Sequence, residues 1–185
     1  MREFVVFSRT GHTAPGFKTL REGGRLDLVY QSILMSIFKS HGMRRDTVFR
    51  AFLGGPPHPP VELIVDGAEL HDVRTDEATW FNILSSVLDG RKHPGITVRR
   101  NSFQSFLKER QGIFVLEEGG ESIRTVELGG NPCFVLGDQV GLPKKEEKYA
   151  LRAGTKISLG GTLYMTCQCI GIINYVLDLR EVPEG

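Results

Sequence analysis

The residues NPCFVLGDQVGLP (131–143) and TKISLGGTLYMTCQCIGIINYVLDL (155–179) carry the strongest architectural signal in the chain. In each, a short apolar run breaks into a loop that contains glycine, at Gly137-Asp138 and at Gly160-Gly161. Two buried strands of one sheet that end in such loops at the same edge form a small-molecule pocket in many α/β proteins. We therefore expect the chemistry at this edge.

The length and composition indicate one ordinary globular domain over residues 1–185. The chain is 40% hydrophobic and 24% charged, and it has no apolar run near the roughly 20 residues of a membrane span. Charged residues interrupt the amino-terminal segment where a signal peptide would need an apolar core, so we predict a cytoplasmic protein that does not bind membranes. The net charge of +1 means that any nucleic-acid site is a local patch.

The cysteines and histidines do not suggest a metal site. Cys167 and Cys169 are two residues apart, so on a helix they point in different directions and cannot share a metal. The five histidines are scattered without ligand spacing. We predict no metal.

Apolar patterns and turn signals predict strands that alternate with helices. The predicted strands are 2–8, 47–53, 61–65, 96–99, 112–116, 134–136 and 156–159, and the predicted helices are 25–41, one from Thr75, 102–109, 144–153 and 167–179. Continuous apolar strands are typical of a mainly parallel sheet with both faces covered.

Motifs for phosphate-held nucleotides and for hydrolases are missing from the sequence. No GxGxxG opens a helix after the first strand, and neither GxxxxGK[ST] nor GxSxG occurs. The remaining loops offer main-chain amides and apolar side chains, which suit a flat heterocycle such as adenine. Its faces would contact leucines, namely Leu116, Leu136, Leu159 and Leu163. The alternative is that these leucines are plain core and the glycines only turn the chain.

Arginines form a second group of candidates. Asp27 in the first turn of a helix is favoured by the helix dipole, but Arg25 is not, so Arg25 needs another reason, such as binding a phosphate or a carboxylate. Further arginines could form a basic stripe, namely Arg44, Arg45, Arg50, Arg99 and Arg100. The alternative is that they pair with surface carboxylates.

Five stretches together resemble the TrmY family, nearly from end to end and in the right order: GGRLDLV (23–29), HGMRRDTVF (41–49), PGITVRR (94–100), NPCFVLGDQVGLP (131–143) and KISLGGTLYMTCQCIGIINYVLD (156–178). That family comprises SPOUT-class methyltransferases acting on N1 of the pseudouridine at position 54, in the T-loop of archaeal tRNA. The chain is more distantly similar to the Nep1 family, which methylates a pseudouridine of ribosomal RNA.

The resemblance implies a SPOUT α/β fold with a mainly parallel sheet, a carboxyl-terminal deep trefoil knot and a homodimer. It implies S-adenosylmethionine (SAM) as cofactor and tRNA as partner. The implied cofactor contacts are Leu116, Leu136, Gly137, Asp138, Leu159, Gly160, Gly161, Thr162, Leu163, Tyr164 and Cys169. The implied substrate side of the site holds Arg25 and Asp27.

Pseudouridine N1 is a poor nucleophile until its proton is removed, so positioning and proton acceptance are the enzyme's tasks. We expect Asp27 to accept that proton or a hydrogen bond from it, and Arg25 to hold an RNA phosphate or the ring carbonyl. Cys169 is expected to be a wall of the cofactor pocket, since a free cysteine behaves as a small hydrophobe. RNA contacts are expected at Arg25, Arg44, Arg45, Arg99 and Arg100. Methylation of ribosomal RNA or of ordinary uridine, or a non-catalytic knotted RNA-binding module, remain alternatives.

Overall fold

The computed structural model describes residues 1–181, so the last four residues of the predicted domain lie outside the described part of the chain. The elements in chain order are β1 (Arg2–Ser8), α1 (Leu26–Ile37), β2 (Phe38–Lys39), β3 (Gly42–Met43), β4 (Thr47–Leu53), β5 (Val61–Asp66), α2 (Glu77–Leu88), β6 (Ile96–Arg99), α3 (Phe103–Glu109), β7 (Ile113–Ser122), β8 (Cys133–Gly137), α4 (Lys144–Ala153), β9 (Thr155–Ser158) and α5 (Thr166–Glu181).

One seven-stranded sheet runs through the molecule in the order β6-β5-β4-β1-β8-β7-β9. The pairings that join β4, β1, β8, β7 and β9 are parallel, whereas β5 pairs antiparallel with β4 and with β6. The prediction of a mainly parallel sheet is therefore confirmed. The β5 strand is reversed because the connector of residues 54–60 is too short for a parallel crossover, which needs about a dozen residues.

Both faces of the sheet are covered, which explains why the central strands read as continuous apolar runs. On one face, α1, α2 and α5 pack over Phe4, Phe134 and Phe114. The ring centroids of Phe4 and Phe134 lie 5.5 Å apart, and those of Phe134 and Phe114 lie 5.8 Å apart. On the other face, α3 and α4 cover Val5 and Val135. Burying apolar area on both faces is the main stabilising contribution to such a sheet.

The first helix ends earlier than its apolar pattern predicts. The pattern extends to His41, but α1 stops at Ile37 and the chain turns through the small antiparallel ribbon β2–β3. Phe38 is already extended, with ψ of 144°, yet its ring still packs edge-on against Trp80 with centroids 6.3 Å apart. The helical period continued in the sequence because Phe38 faces the same core from a different backbone conformation.

The strand β7 is longer than predicted. The sequence suggested a stop after Leu116, but the strand continues through the EEGGE segment to Ser122 by means of a bulge, so that Leu116 and Glu121 both lie opposite Ile157. A Cβ on Gly120 would stand 2.5 Å from the Ile157 backbone, so only glycine fits there. The acidic segment is therefore part of the sheet.

The first strand and the last helix are tied together by a buried arginine. Arg2 is 3% exposed, and its guanidinium donates to Asn174 Oδ1 at 3.0 Å, Asp178 Oδ1 at 2.9 Å and Glu181 Oε1 at 2.7 Å. Within residues 1–181, none of the helices is long and apolar enough to span a membrane.

Candidate cofactor and substrate site

A cleft of about 440 Å³ opens at the carboxyl edge of the sheet, where β8 and β9 end beside the bulge of β7. Ten of the eleven predicted cofactor residues line it: Leu116, Leu136, Gly137, Asp138, Leu159, Gly160, Thr162, Leu163, Tyr164 and Cys169. Gly161 is exposed and is not among the lining residues. The structure thus brings two loops far apart in sequence to one place, as the two glycine-ended strands predicted.

Sequence reasoning missed several lining residues: Glu117, Glu118, Gln139, Val140, Gly141, Ser158 and Thr166. Most are immediate neighbours of predicted residues, so extending each loop by a few positions would have found them. Glu117 and Glu118 lie in the β7 bulge, which no sequence pattern indicated. Burial raises the pKa of the Glu117 carboxyl, and the negative charge of Glu147 on α4 raises it further.

The loop after β8 folds back so tightly that its first residue has to be glycine. A Cβ on Gly137 would lie 2.3 Å from the carbonyl carbon of Gly141. The carbonyl oxygen of Gly137 accepts a hydrogen bond of 2.8 Å from the Thr166 hydroxyl at the start of α5. The loop and the helix that bound the cleft are therefore fixed to each other.

Asp138 shapes this loop instead of facing a ligand with its side chain. Its carboxylate is 5% exposed; Oδ2 accepts from the Arg9 N–H and Oδ1 from the Val140 N–H, both at 2.9 Å. The Arg9 guanidinium donates from Nε and Nη2 to the Gly141 carbonyl oxygen at 3.1 and 3.0 Å. Any contribution of Asp138 to a ligand would come from its main chain.

Cys169 lies in the cleft wall as a neutral thiol. It is 7% exposed, and burial raises its pKa to about 11, so it is protonated at neutral pH. Its thiol donates weakly to the Tyr164 carbonyl oxygen at 3.7 Å, whereas Cys167 faces Gln31 on α1. Among residues 1–181, no group of three histidine, cysteine or acidic side chains could hold a metal ion.

Arg25 and Asp27 form a tight pair at the start of α1. Arg25 caps the helix in the left-handed region, with φ of 68°, and donates from Nε to Oδ1 and from Nη2 to Oδ2 of Asp27, both at 3.0 Å. The hydrogen bonds that Arg25 donates to Asp27 raise the pKa of Arg25, burial opposes them, and the negative charges of Asp27 and Asp138 add to the increase. The pair therefore lies within electrostatic reach of the cleft loop.

The other predicted arginines do not form one stripe. Arg44 and Arg45 precede β4, at the edge of the sheet opposite the cleft, whereas Arg99 and Arg100 end β6, which runs in the same direction as β4. Arg50 lies within the sheet, where it bridges two carboxylates, Glu3 and Glu62.

In each adjacent pair of arginines, one member pairs with a carboxylate and the other donates to carbonyl oxygens. Arg44 pairs with Asp178 and Arg99 with Glu62, so the charge of each is compensated. Arg45 instead donates to the carbonyl oxygens of Gly67 and Leu70, and Arg100 to those of His58 and Pro59. Within residues 1–181, one arginine of each pair therefore has no carboxylate partner, namely Arg45 and Arg100.

Comparisons with known proteins agree with this architecture. A family model described as "Putative SAM-dependent RNA methyltransferase" matches residues 1–182. A relative from Methanopyrus kandleri named "tRNA (pseudouridine(54)-N(1))-methyltransferase" is 37% identical and covers 100% of this chain and 96% of its own. A relative of the same name from Methanocaldococcus jannaschii is 35% identical over 100% of both chains.

Among solved structures, Archaeoglobus fulgidus Nep1 bound to S-adenosylhomocysteine has a TM-score of 0.64 at 14% identity, covering 84% of this chain and 71% of its own. The structural similarity shows the fold alone, whereas the sequence matches show the family. The chain belongs to the SAM-dependent RNA methyltransferase family that those archaeal relatives represent, which confirms the resemblance carried by its motifs.

Proposed function

We propose that this protein transfers the methyl group of SAM to N1 of pseudouridine 54 in tRNA. The observation that carries the proposal is the full-length match to relatives of that name, at 37% and 35% identity, together with a cleft assembled from the matching motifs. The protein acts in the cytoplasm, as a single domain over residues 1–185.

The cleft fits SAM in size and in chemistry. Its volume of about 440 Å³ lies in the range of about 300–1,000 Å³ that small-molecule sites occupy. Leu116 and Leu136 supply apolar walls for an adenine ring, and the main chain at Gly160 is unobstructed, because no heavy atom lies within 4 Å of where its Cβ would be. When bound, SAM supplies an activated methyl group on a sulfonium centre.

Asp27 is the group that accepts the N1 proton of the target base, and Arg25 orients it. Both Asp27 oxygens accept from Arg25, but an ionised carboxylate has about four lone-pair sites, so it can accept one more hydrogen bond. The left-handed conformation of Arg25 supports a functional role, because such backbone strain is retained mainly at functional sites. A stacked base has to be extruded to reach this pair.

Arg45 and Arg100 are the RNA contacts that the structure supports best among the predicted arginines. Each is exposed, and in the described part of the chain each donates to carbonyl oxygens and to no carboxylate, so its charge is available for a phosphate. Arg44 and Arg99 serve mainly to compensate carboxylates.

The carboxyl-terminal third forms a trefoil knot, and the protein is a homodimer. The knot is supported by Arg180 near the end of α5, which donates to the carbonyl oxygens of Ile123 and Val126 in the segment between β7 and β8, as a helix threaded through that segment would. The dimer is supported by exposed apolar side chains at the cleft rim and along α5, namely Val140, Leu163, Met165, Tyr175 and Leu179. Light scattering should give twice the chain mass of 20.6 kDa.

The decisive experiment compares methylation of three RNAs by the purified protein with radiolabelled SAM. We expect transfer to a tRNA carrying pseudouridine 54, and none to the unmodified transcript or to a ribosomal fragment containing pseudouridine. Transfer to the fragment alone would favour the Nep1-like alternative. No transfer, with no thermal stabilisation by SAM, would favour a non-catalytic module.

Asp27→Asn is the matched test of the proposed acceptor. It keeps the shape of the side chain and should abolish most methylation while leaving SAM affinity unchanged. Full activity in this variant would exclude Asp27 as the acceptor.

A further inference from the structure

The turn that follows β1, residues Arg9–Gly11, lies where the cofactor loop and the substrate motif meet; we call it the β1 turn. On one side it holds the loop 138–141 through three contacts described above. The Arg9 N–H donates to Asp138, and the Arg9 guanidinium donates twice to the Gly141 carbonyl oxygen. Arg9 is thereby the residue of the β1 turn that grips the cofactor cleft.

On its other side, the β1 turn holds the segment that carries Arg25. The Thr10 hydroxyl donates to the Gly24 carbonyl oxygen at 2.8 Å, and the N–H of His12 donates to the Gly23 carbonyl oxygen at 2.9 Å. The approach is so close that a Cβ on Gly24 would stand 1.7 Å from the Thr10 carbonyl oxygen. A shift of Thr10 therefore cannot occur without a shift of Gly24 and its neighbour.

A third loop restricts the freedom of the β1 turn further. Gly55 donates its N–H to the Gly11 carbonyl oxygen at 2.9 Å, and a Cβ at Gly55 would lie 2.2 Å from the Thr10 carbonyl oxygen. Backbone packed this closely on two sides moves as a unit. Displacement of the loop 138–141 is therefore transmitted to the Arg25–Asp27 pair.

We propose that Arg9 is a positioning residue that couples occupancy of the cofactor cleft to recognition of the target nucleoside. This inference rests on the proposed function, because it takes the cleft as the SAM site and Asp27 as the substrate side. A ligand in the cleft restrains the loop 138–141. Through the contacts of Arg9 the β1 turn is restrained as well, and through Gly24 so is Arg25. Because binding linkage is reciprocal, RNA has to tighten cofactor binding by the same factor.

Arg9 is suited to this role because both its main-chain N–H and its guanidinium donate to the loop 138–141. Arg9 is about one-third exposed in its side chain, so it is not part of the core, yet two of its donors converge on one carbonyl oxygen. Two donors on one acceptor fix an orientation better than a single ammonium can. A lysine at this position should therefore retain only part of the coupling.

The test measures the dissociation constant of S-adenosylhomocysteine by calorimetry, with and without saturating tRNA that carries pseudouridine 54. Wild type should bind about tenfold more tightly in the presence of RNA, within the usual range of about 5–150-fold. Arg9→Ala should reduce that factor to less than about threefold, with Arg9→Lys between the two. Arg180→Ala is the matched control, because Arg180 also donates to two carbonyl oxygens but lies at the far end of α5.

The outcomes separate this inference from the proposed function. Full coupling in folded Arg9→Ala, or no coupling in a wild-type protein that methylates tRNA, would overturn the inference and leave the function intact. Failure of wild type to methylate tRNA would overturn the function instead. If thermal unfolding shows that Arg9→Ala is not folded, Arg9→Lys decides, and an unchanged coupling factor in it would count against the proposal. An equal loss in Arg180→Ala would assign the effect to general loosening of the fold and would also overturn it.

Discussion

Replacing Arg44 with alanine should destabilise the protein and leave its RNA affinity unchanged. The Arg44 side chain is 14% exposed, and its guanidinium donates to both Asp178 oxygens, at 2.7 and 2.5 Å. Asp178 also accepts from Arg2, so removing Arg44 leaves one partner in place. The adjacent Arg45 is exposed and lacks a carboxylate partner among the described residues, which makes Arg45→Ala a matched comparison.

The size of the effect follows from the burial of the two partners. Breaking a fully buried ion pair costs about 3–5 kcal/mol and an exposed pair less than about 1 kcal/mol. Because the Asp178 side chain is 40% exposed, solvent screens the pair, and the loss should be about 1.5 kcal/mol in the free energy of unfolding. For a chain of this length, that corresponds to a decrease in Tm of about 3–6 °C.

The pH dependence gives an independent check on the same pair. Burial alone would raise the pKa of Asp178, but the hydrogen bonds from Arg44 and Arg2 outweigh it and hold the pKa below its ordinary value. A lowered carboxyl pKa stabilises the fold above about pH 4, and that contribution is lost as the pH falls through the folded-state pKa. The difference in Tm between wild type and Arg44→Ala should therefore shrink in acid.

Calorimetric unfolding and a tRNA binding titration, made on both variants, test this reasoning. Arg45→Ala should weaken RNA binding and leave Tm nearly unchanged, the reverse of Arg44→Ala. If Arg44→Ala kept its Tm and lost RNA affinity, the pairing with Asp178 would be secondary and Arg44 would be a phosphate contact after all.

Three further substitutions test the site. Cys169→Ser should weaken SAM binding in a titration but lower the rate at saturating SAM by less than about tenfold, because a neutral wall thiol takes no part in the transfer; a larger loss would indicate a chemical role. Gly24→Ala should lower the free energy of unfolding by more than the about 1–2 kcal/mol that a left-handed alanine costs, because its Cβ would collide with the Thr10 carbonyl oxygen. Gly90→Ala is the control in denaturant unfolding: Gly90 has φ of 87° and no neighbour within 4 Å of its Cβ position, so this variant should show the backbone strain alone. Glu117→Gln should raise Tm at pH 7 but not at about pH 3.5. The pKa of the Glu117 carboxyl is raised in the folded protein, so its ionisation as the pH rises lowers the stability of the wild type, and the glutamine variant avoids that loss. Equal gains in Tm at both pH values would contradict the charge argument.

The strands could be predicted closely from the sequence because burial on both faces leaves long apolar runs. The predicted segment 47–53 coincides with β4, and the predicted helix 144–153 with α4. The end of α1 could not be predicted, because Phe38 keeps the helical period after the helix has ended. The β7 bulge was hidden for a different reason: its acidic and glycine residues have the composition of a loop, although the strand pairs with β9 again at Glu121 and Ser122.

Some features of the candidate site could likewise be predicted from the sequence, and others could not. Its glycine loops were visible because close backbone approach requires glycine at Gly137, and that requirement appears directly in the sequence. The division of the arginines was not visible, because whether Arg44 meets Asp178 or a phosphate depends on contacts between residues 134 positions apart. The role proposed for Arg9 could not be predicted, because a single arginine after a strand carries no pattern.

The clamp formed by Arg2 has a consequence for synthesis on the ribosome. Arg2 is among the first residues of the chain, but two of the three carboxylates that compensate its buried charge, Asp178 and Glu181, belong to α5, whereas the third, Asp46, lies just before β4 at 3.5 Å. Likewise, β1 has to wait for β8 to occupy one of its flanks. A nascent chain that formed the central strands early would bury this guanidinium ion with Asp46 as its remaining carboxylate partner, which is unfavourable. We therefore expect chains that lack α5 to be destabilised around Arg2, because Asp178 and Glu181 would be absent.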